Sequence, residues 1–301
     1  MNKSAYIWPL VILSTFFWGS NFNAGQAIAD SVTPLTAAAE RFFIAMLIFL
    51  LFRLIKGQSE SSLQWRDAWI LVPLGIIGVF GFNFAFFTAL HTTQALNAAL
   101  IMALSPMVSM LLAVWLLNAR MMRYQLLGML IAFVGVSLVI TGGNFALLHV
   151  AIGDLWMLVA CLAWSLYSVG SKRYASHIPS LQFARWTVSI GAVALIVVAF
   201  ITDTPYSSIQ QLSLQTHSIL FYMALCGSVL AYIFWLRGIQ VLGPDRSAIA
   251  FNLVPVFTLL ISVTLGVVPD KMQIMGLLLV LSGMLVFSGW RPRRAKQVCP
   301  G

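Results

Sequence analysis

Apolar residues follow one another along this chain in stretches of about twenty, separated by short joints that carry the prolines, glycines and most charges. Ten such stretches can be drawn, at 7–29, 33–55, 68–90, 95–117, 123–141, 154–172, 180–201, 216–238, 246–267 and 271–290. A helix rises ~1.5 Å per residue and the hydrocarbon core is ~30 Å thick, so each can span a bilayer. The strands of a β-barrel would alternate apolar and polar residues. Runs such as Leu277 to Val280 and Met110 to Leu117 do not alternate. The pattern predicts an all-α integral membrane protein with ten transmembrane helices.

The halves of the chain echo each other. A shift of 149 places Pro106 on Pro255, Gly78 on Gly227 and Asn83 on Tyr232. A shift of 148 places Gly128 and Gly135 on Gly276 and Gly283, and one of 146 places Trp18 on Trp164. Pro34 and Arg41 have near counterparts in Pro179 and Arg185. Five spans per repeat is odd, so the second copy would enter the membrane upside down, which predicts two inverted repeats, 1–145 and 150–290, around a central cavity. A basic tail, 291–301, follows.

Composition agrees, with 60% hydrophobic residues and only 8% charged, against about 25% charged in soluble domains. The net charge of +9 is mainly topology. Lys3, Arg53, Lys56, Arg66, Arg120, Arg123, Lys172, Arg173, Arg237, Arg246 and the tail's Arg291, Arg293, Arg294 and Lys296 all fall on one side of the predicted spans, and Lys271 on the other. Positive residues of short loops stay cytoplasmic, so both termini are expected there. The basic tail Arg-Pro-Arg-Arg-Ala-Lys suits nucleic acid, but nothing else in the chain offers a base-reading surface, and no nucleic-acid partner is expected. Lys3 before an apolar run and Ala27-Ile28-Ala29 imitate a cleaved signal peptide. Trp18, Asn21, Asn23 and Gln26 favour a retained first helix, which the repeat also requires.

Cys161, Cys226 and Cys299 have neither paired nor metal-like spacing. His91, His149, His177 and His217 sit in loops or at span ends. No phosphate-binding loop, zinc motif or serine-nucleophile motif is present. Neither a cofactor nor a metal nor an enzymatic activity is predicted.

The polar residues within the spans mark candidate binding positions. Helical spacing puts Trp18, Asn21, Phe22 and Gly25 on one face, and Trp164, Tyr167, Ser168 and Ser171 on another. Phe80, Asn83, Phe84 and Phe87 form a third stripe, while Tyr232, Trp235, Asn97 and Asn252 add polar-tipped aromatics and amides. Amides in hydrocarbon need partners, so these faces point inward, toward ordinary interhelical bonds or toward a cavity. Pro106 and Pro255 fall mid-span and predict helix kinks. The glycine pairs of the fifth and tenth spans predict close packing outside the site. Glu40 and Arg41 stand side by side in the second span. Sequence neighbours on a helix point about 100° apart, so they do not neutralise each other. Arg185, near the cytoplasmic end of its span, is placed to snorkel.

The segments Phe17-Trp18-Gly19-Ser20-Asn21-Phe22, Pro34 through Arg41-Phe42-Phe43 and Ala98 to Pro106 resemble the drug/metabolite transporter superfamily, EamA-like branch. Gly153-Asp154-Leu155 through Ala163-Trp164-Ser165-Leu166-Tyr167, and Ser247 to Pro255, repeat the likeness. The resemblance implies ten helices in two inverted repeats, a cavity lined by the first, third, fourth, sixth, eighth and ninth, and alternating access. It further implies export, usually of amino acids, other metabolites or drugs, across the bacterial inner membrane. The first hypothesis is a monomer or homodimer that exports a small, partly apolar metabolite such as an amino acid, driven by protons or exchange. Arg41 would receive a carboxylate or organise the cavity. Glu40 departs from the family pattern and is the candidate for proton coupling. An uncoupled facilitator and a non-transporting membrane scaffold are the alternatives.

Overall fold

A computed structural model describes residues 3–56, 63–143, 151–203, 210, 212–242 and 250–289. The tail, Arg246, His149 and the start of the Ser247 to Pro255 segment lie outside them. The described helices are α1 (Lys3–Ala27), α2 (Pro34–Lys56), α3 (Trp65–Leu90), α4 (Ala95–Leu117), α5 (Arg123–Thr141), α6 (Ile152–Tyr174), α7 (Ser180–Thr202), α8 (Leu214 to Leu242), α9 (Leu253–Thr264) and α10 (Lys271–Phe287). No strand occurs among the described residues. Seven helices, α2 to α8, are long and apolar enough to cross a membrane. The 12-residue α9 and 17-residue α10 are apolar but shorter. α1 has 25 residues, with several polar ones among them. The outer surface carries exposed Leu51, Phe133, Val193, Phe200 and Leu278, as a lipid-facing surface should.

Local chemistry sets the helix ends. Pro34 opens α2, where its missing N–H is not needed. Ser213 Oγ accepts from Thr216 N at 3.1 Å to start α8, and Asp270 Oδ1 accepts from Gln273 N at 2.7 Å to start α10. Asn118 and Gly142 end α4 and α5 in the left-handed conformation.

The two mid-span prolines do not kink continuous helices as expected. α4 is broken at Ala103–Leu104 and resumes at Ser105, so Pro106 lies in a first turn. α9 likewise begins after a break at Asn252, with Pro255 in its first turn. A helix restarting there needs no hydrogen bond from the proline, so a break replaces the kink. A second irregularity had no counterpart in the sequence reading. α3 widens into a π-type turn at Ile76–Gly81, and α8 does so at Met223–Leu230.

α1 packs against α9 and the last part of α8, and α6 packs against the last parts of α4 and α3. α2 lies along α7. α5 and α10 pack on each other through their glycines, as expected. A Cβ on Gly128 would lie 2.4 Å from Gly283 O, and one on Gly276 would lie 2.7 Å from Gly135 O. Only glycine lets the backbones come this close.

A central cavity and its vestibule

The wide turns and the helix breaks meet at the centre of the molecule. There they border an inner cavity of about 140 Å³. Its walls are mostly aromatic and aliphatic, including Phe22, Phe82, Phe86, Met102, Val188 and Phe251, with Asn21, Asn83, Tyr167 and Tyr232 as polar members. Arg41 is the charged side chain in the lining, and it is 5% exposed.

The wide turns carry glycine because neighbouring side chains fill the space. A Cβ on Gly78 would fall 2.2 Å from the Tyr167 ring, and one on Gly227 would fall 2.0 Å from Asn21 Nδ2. A wide turn also loosens the backbone hydrogen-bonding pattern. Trp18 Nε1 donates to Gly227 O at 3.1 Å, and Asn83 Nδ2 donates to Val79 O at 2.8 Å. The two amide oxygens Asn21 Oδ1 and Asn83 Oδ1 are shut off by protein atoms and have no partner.

Arg41 reaches from α2 to the wide turn of α8. Its Nε donates to Ser228 Oγ at 3.1 Å, and its guanidinium lies 5.3 Å from the Phe42 ring centre and 6.0 Å from that of Phe87. The terminal nitrogens make no hydrogen bond to described residues and are not sealed away.

A second space of about 480 Å³ adjoins the first. Trp18, Trp164, Tyr167, Tyr232 and Phe251 line both and form an aromatic collar between them. Trp18 meets Phe251 at 5.5 Å, and Trp164 meets Tyr167 at 5.7 Å, between ring centres. Ser105, Ser109, Ser168 and Ser171 give this vestibule a hydroxyl-rich wall, and it reaches solvent beside exposed Lys172, Ser176 and Ser180. The opposite end is held by side-chain bonds. Asn23 accepts from Ser262 Oγ at 2.6 Å and donates to Thr258 O at 3.1 Å. Gln273 Nε2 donates to Gln94 and Asn97 at 2.6 and 2.8 Å, and Gln26 Oε1 accepts from Ala95 N at 3.0 Å.

A single family model, the EamA-like transporter family, matches residues 6–141 and again 151–289. The chain belongs to the EamA-like transporter family. Among similar members, uncharacterized transporter YyaM of Bacillus subtilis is 36% identical over 293 residues, which is 95% of each chain. Uncharacterized inner membrane transporter YicL of Salmonella typhimurium is 24% identical over 295 residues, 95% of this chain and 96% of the relative. A crystal structure aligned over 94% of this chain and 96% of its own has a TM-score of 0.67 at 21% identity, and shares the fold.

In this EamA-like chain the cavity gathers Trp18, Asn21, Phe22, Arg41, Asn83, Trp164, Tyr167, Tyr232 and Pro255 from the sequence-predicted set. Trp235 and Pro106 line the vestibule instead. Four predicted residues line neither. Phe80 stacks on Phe84 at 6.4 Å, outside the lining, because the stripe that faces the cavity is Val79, Phe82, Asn83 and Phe86, one step round the helix from the predicted one. Phe87 stands behind Arg41 and packs on Phe86 at 5.4 Å. Asn97 is taken up by Gln273 at the bonded end. Asn252 occupies the helix break and is buried, its amide nitrogen unpartnered, while Phe251 faces the cavity.

Glu40 also turns away from the cavity. Its Oε1 lies 2.5 Å from His217 Nδ1 on α8, so the neighbours Glu40 and Arg41 contact α8 at two separate places. Arg185 does not snorkel. It is 6% exposed, with its guanidinium 5.8 Å from the Trp186 ring centre. Sequence reasoning missed Phe42, Phe49, Ala184 and Val188, which bring α2 and α7 into the lining, and it missed Ser228. Only the apolar inward faces of α2 and α7 could have pointed to the first four. A serine in an apolar run could have pointed to the last.

Proposed function

We propose that this multi-pass membrane protein is a secondary active transporter that exports small metabolites, amino acids among those expected, by alternating access. The observation that carries this reading is a buried, largely apolar cavity containing one guanidinium, joined through an aromatic collar to a vestibule at one end and separated from the other end by bonded amides. Such a space holds a solute rather than a water column. In this reading Arg41 receives the carboxylate of the solute, and Asn21, Asn83, Trp164 and Tyr232 shape the space around it.

The arrangement is read as ten spans in two inverted repeats. The two family-model matches and the recurrence of wide turn and helix break in each half support it. The positive-inside distribution supports cytoplasmic termini in an inner membrane, which makes the Lys172 end cytoplasmic and the state shown inward-facing. The driving force is a proton gradient or exchange, and Glu40 with His217 is the place where a coupled proton would bind. Counterflow in proteoliposomes, with amino acids and small organic acids as the panel, tests the function. Accumulation of a labelled solute against preloaded unlabelled solute is expected, and its absence across the panel refutes transport of these classes. A pH gradient that changes the extent of accumulation separates a coupled carrier from a facilitator.

A further inference from the structure

The charges that described residues bring to the two spaces are all of one sign. Among the described residues, Arg41 in the cavity and Lys172 in the vestibule are the charged members of the linings, and neither lining contains an aspartate or glutamate. The nearby carboxylates are engaged elsewhere: Glu40 with His217, Asp67 with His177 at 2.9 Å, and Asp154 with Thr93. We infer that, given the transport reading above, the preferred cargo is a monoanion with a compact apolar body, a hydrophobic monocarboxylate, rather than a zwitterion or an amine.

A guanidinium cannot lose its proton under these conditions and presents a planar fork suited to a carboxylate. Ser228 and the Phe42 and Phe87 rings fix the root of that fork, while its terminal nitrogens make no hydrogen bond to the described residues. One cation matches one negative charge, and the apolar walls leave a second charge uncompensated. An ammonium entering the same cavity would leave water without an anionic partner and would stand beside the guanidinium, so desolvation and like-charge repulsion both oppose it. The collar rings would attract a cation by their faces, an effect smaller than a buried like-charge contact. The amide oxygens of Asn21 and Asn83, which an ammonium could use, are closed off by protein atoms.

Two sets of compounds with matched skeletons test this on the full chain purified in detergent. One set is 3-phenylpropanoate, phenylalanine and 2-phenylethylamine. The other is 4-methylpentanoate, leucine and 3-methylbutylamine. Thermal stabilisation reads binding, because a ligand held only by the folded state raises its melting temperature. In at least one set the carboxylate is expected to half-saturate at a concentration at least ~10-fold below that of the amino acid, and the amine is expected to give no shift. Arg41→Gln should raise the carboxylate's half-saturation at least ~10-fold, and Arg41→Lys should recover part of the loss. Equal or tighter binding of the amino acid or amine in both sets overturns the inference. So does an Arg41→Gln variant that folds and binds the carboxylate unchanged, or the absence of any shift by either carboxylate. If the bound carboxylate shows no flux in proteoliposomes, the transport reading fails while the preference for a monoanion stands.

Discussion

Replacing Gly78 with alanine should damage the cavity, and the same change three residues on should not. The new Cβ would stand 2.2 Å from Cδ2 of Tyr167 and 2.7 Å from its Cβ, whereas ordinary contact begins at 3.4 Å. The clash reaches the base of the ring, so rotating the end of the side chain does not relieve it. Tyr167 has to retreat by roughly an ångström, straining its hydrogen bond to Thr187 and its packing on Trp164 and Phe183. Overpacking costs ~1–3 kcal/mol, and the hydrogen bond adds ~1 kcal/mol. Alanine returns ~1 kcal/mol through helix propensity, which leaves a net loss of about 1–3 kcal/mol. Gly81 is the internal control, because its Cβ would meet nothing closer than Ile76 O at 3.4 Å and the propensity gain stands unopposed. The two variants should therefore differ by ~2–4 kcal/mol, which at ~2 °C per kcal/mol for a chain of this size separates their melting temperatures by ~4–8 °C. Intrinsic tryptophan fluorescence during a thermal ramp in detergent measures this. Melting temperatures within about a degree of each other would refute the reasoning.

Glu40→Gln should abolish accumulation driven by an imposed pH gradient in proteoliposomes while leaving exchange partly intact, and unaltered gradient-driven accumulation would sink the coupling role. Asn23→Ala removes the bonds to both Ser262 and Thr258 and should loosen the bonded end. A cysteine at Ala99 in the cavity lining, in a background lacking the native cysteines, should then react faster with an impermeant thiol reagent applied outside the cell; an unchanged rate argues against a lock there. Gly128→Ala places a Cβ 2.4 Å from backbone atoms of α10 and should destabilise the fold by ~1–3 kcal/mol. Neither α5 nor α10 lines the central cavity, so ligand half-saturation in the folded fraction should be unchanged; a parallel loss of affinity would show that this helix pair shapes the site.

Periodicity and depth were enough to place Trp18, Trp164, Asn21 and Asn83 at the cavity, because they follow from helical geometry that holds wherever a helix is regular, whereas Arg41 was singled out by the family resemblance. They failed where one residue fits two stripes. Asn83 shares helical spacing with Phe80, Phe84 and Phe87 and equally with Val79, Phe82 and Phe86, and nothing in the sequence says which of the two faces the cavity. The mid-span prolines were visible, but whether a proline bends a helix or begins a new one depends on the residues before it and on what they pack against. Asn97 was misplaced because its partner, Gln273, lies 176 residues away in sequence. The separation of Glu40 from Arg41 was legible from the angle between helical neighbours, whereas the choice of His217 as the partner of Glu40 was not. The glycine pairs of α5 and α10 were read correctly because closeness between helices is a property of the residue itself.

The wide turns of α3 and α8 have a consequence for how the cavity walls can move. A surplus residue held in one turn can be passed to the next by exchanging a single hydrogen bond, and the stretch it leaves behind then rotates by about 100° without the helix sliding or tilting. In α8 that stretch borders both Ser228, which holds Arg41, and Tyr232 of the collar. Ser228 and Tyr232 are thereby tied to one stretch of backbone, and a change of its register would turn the partner of the guanidinium and the collar ring together.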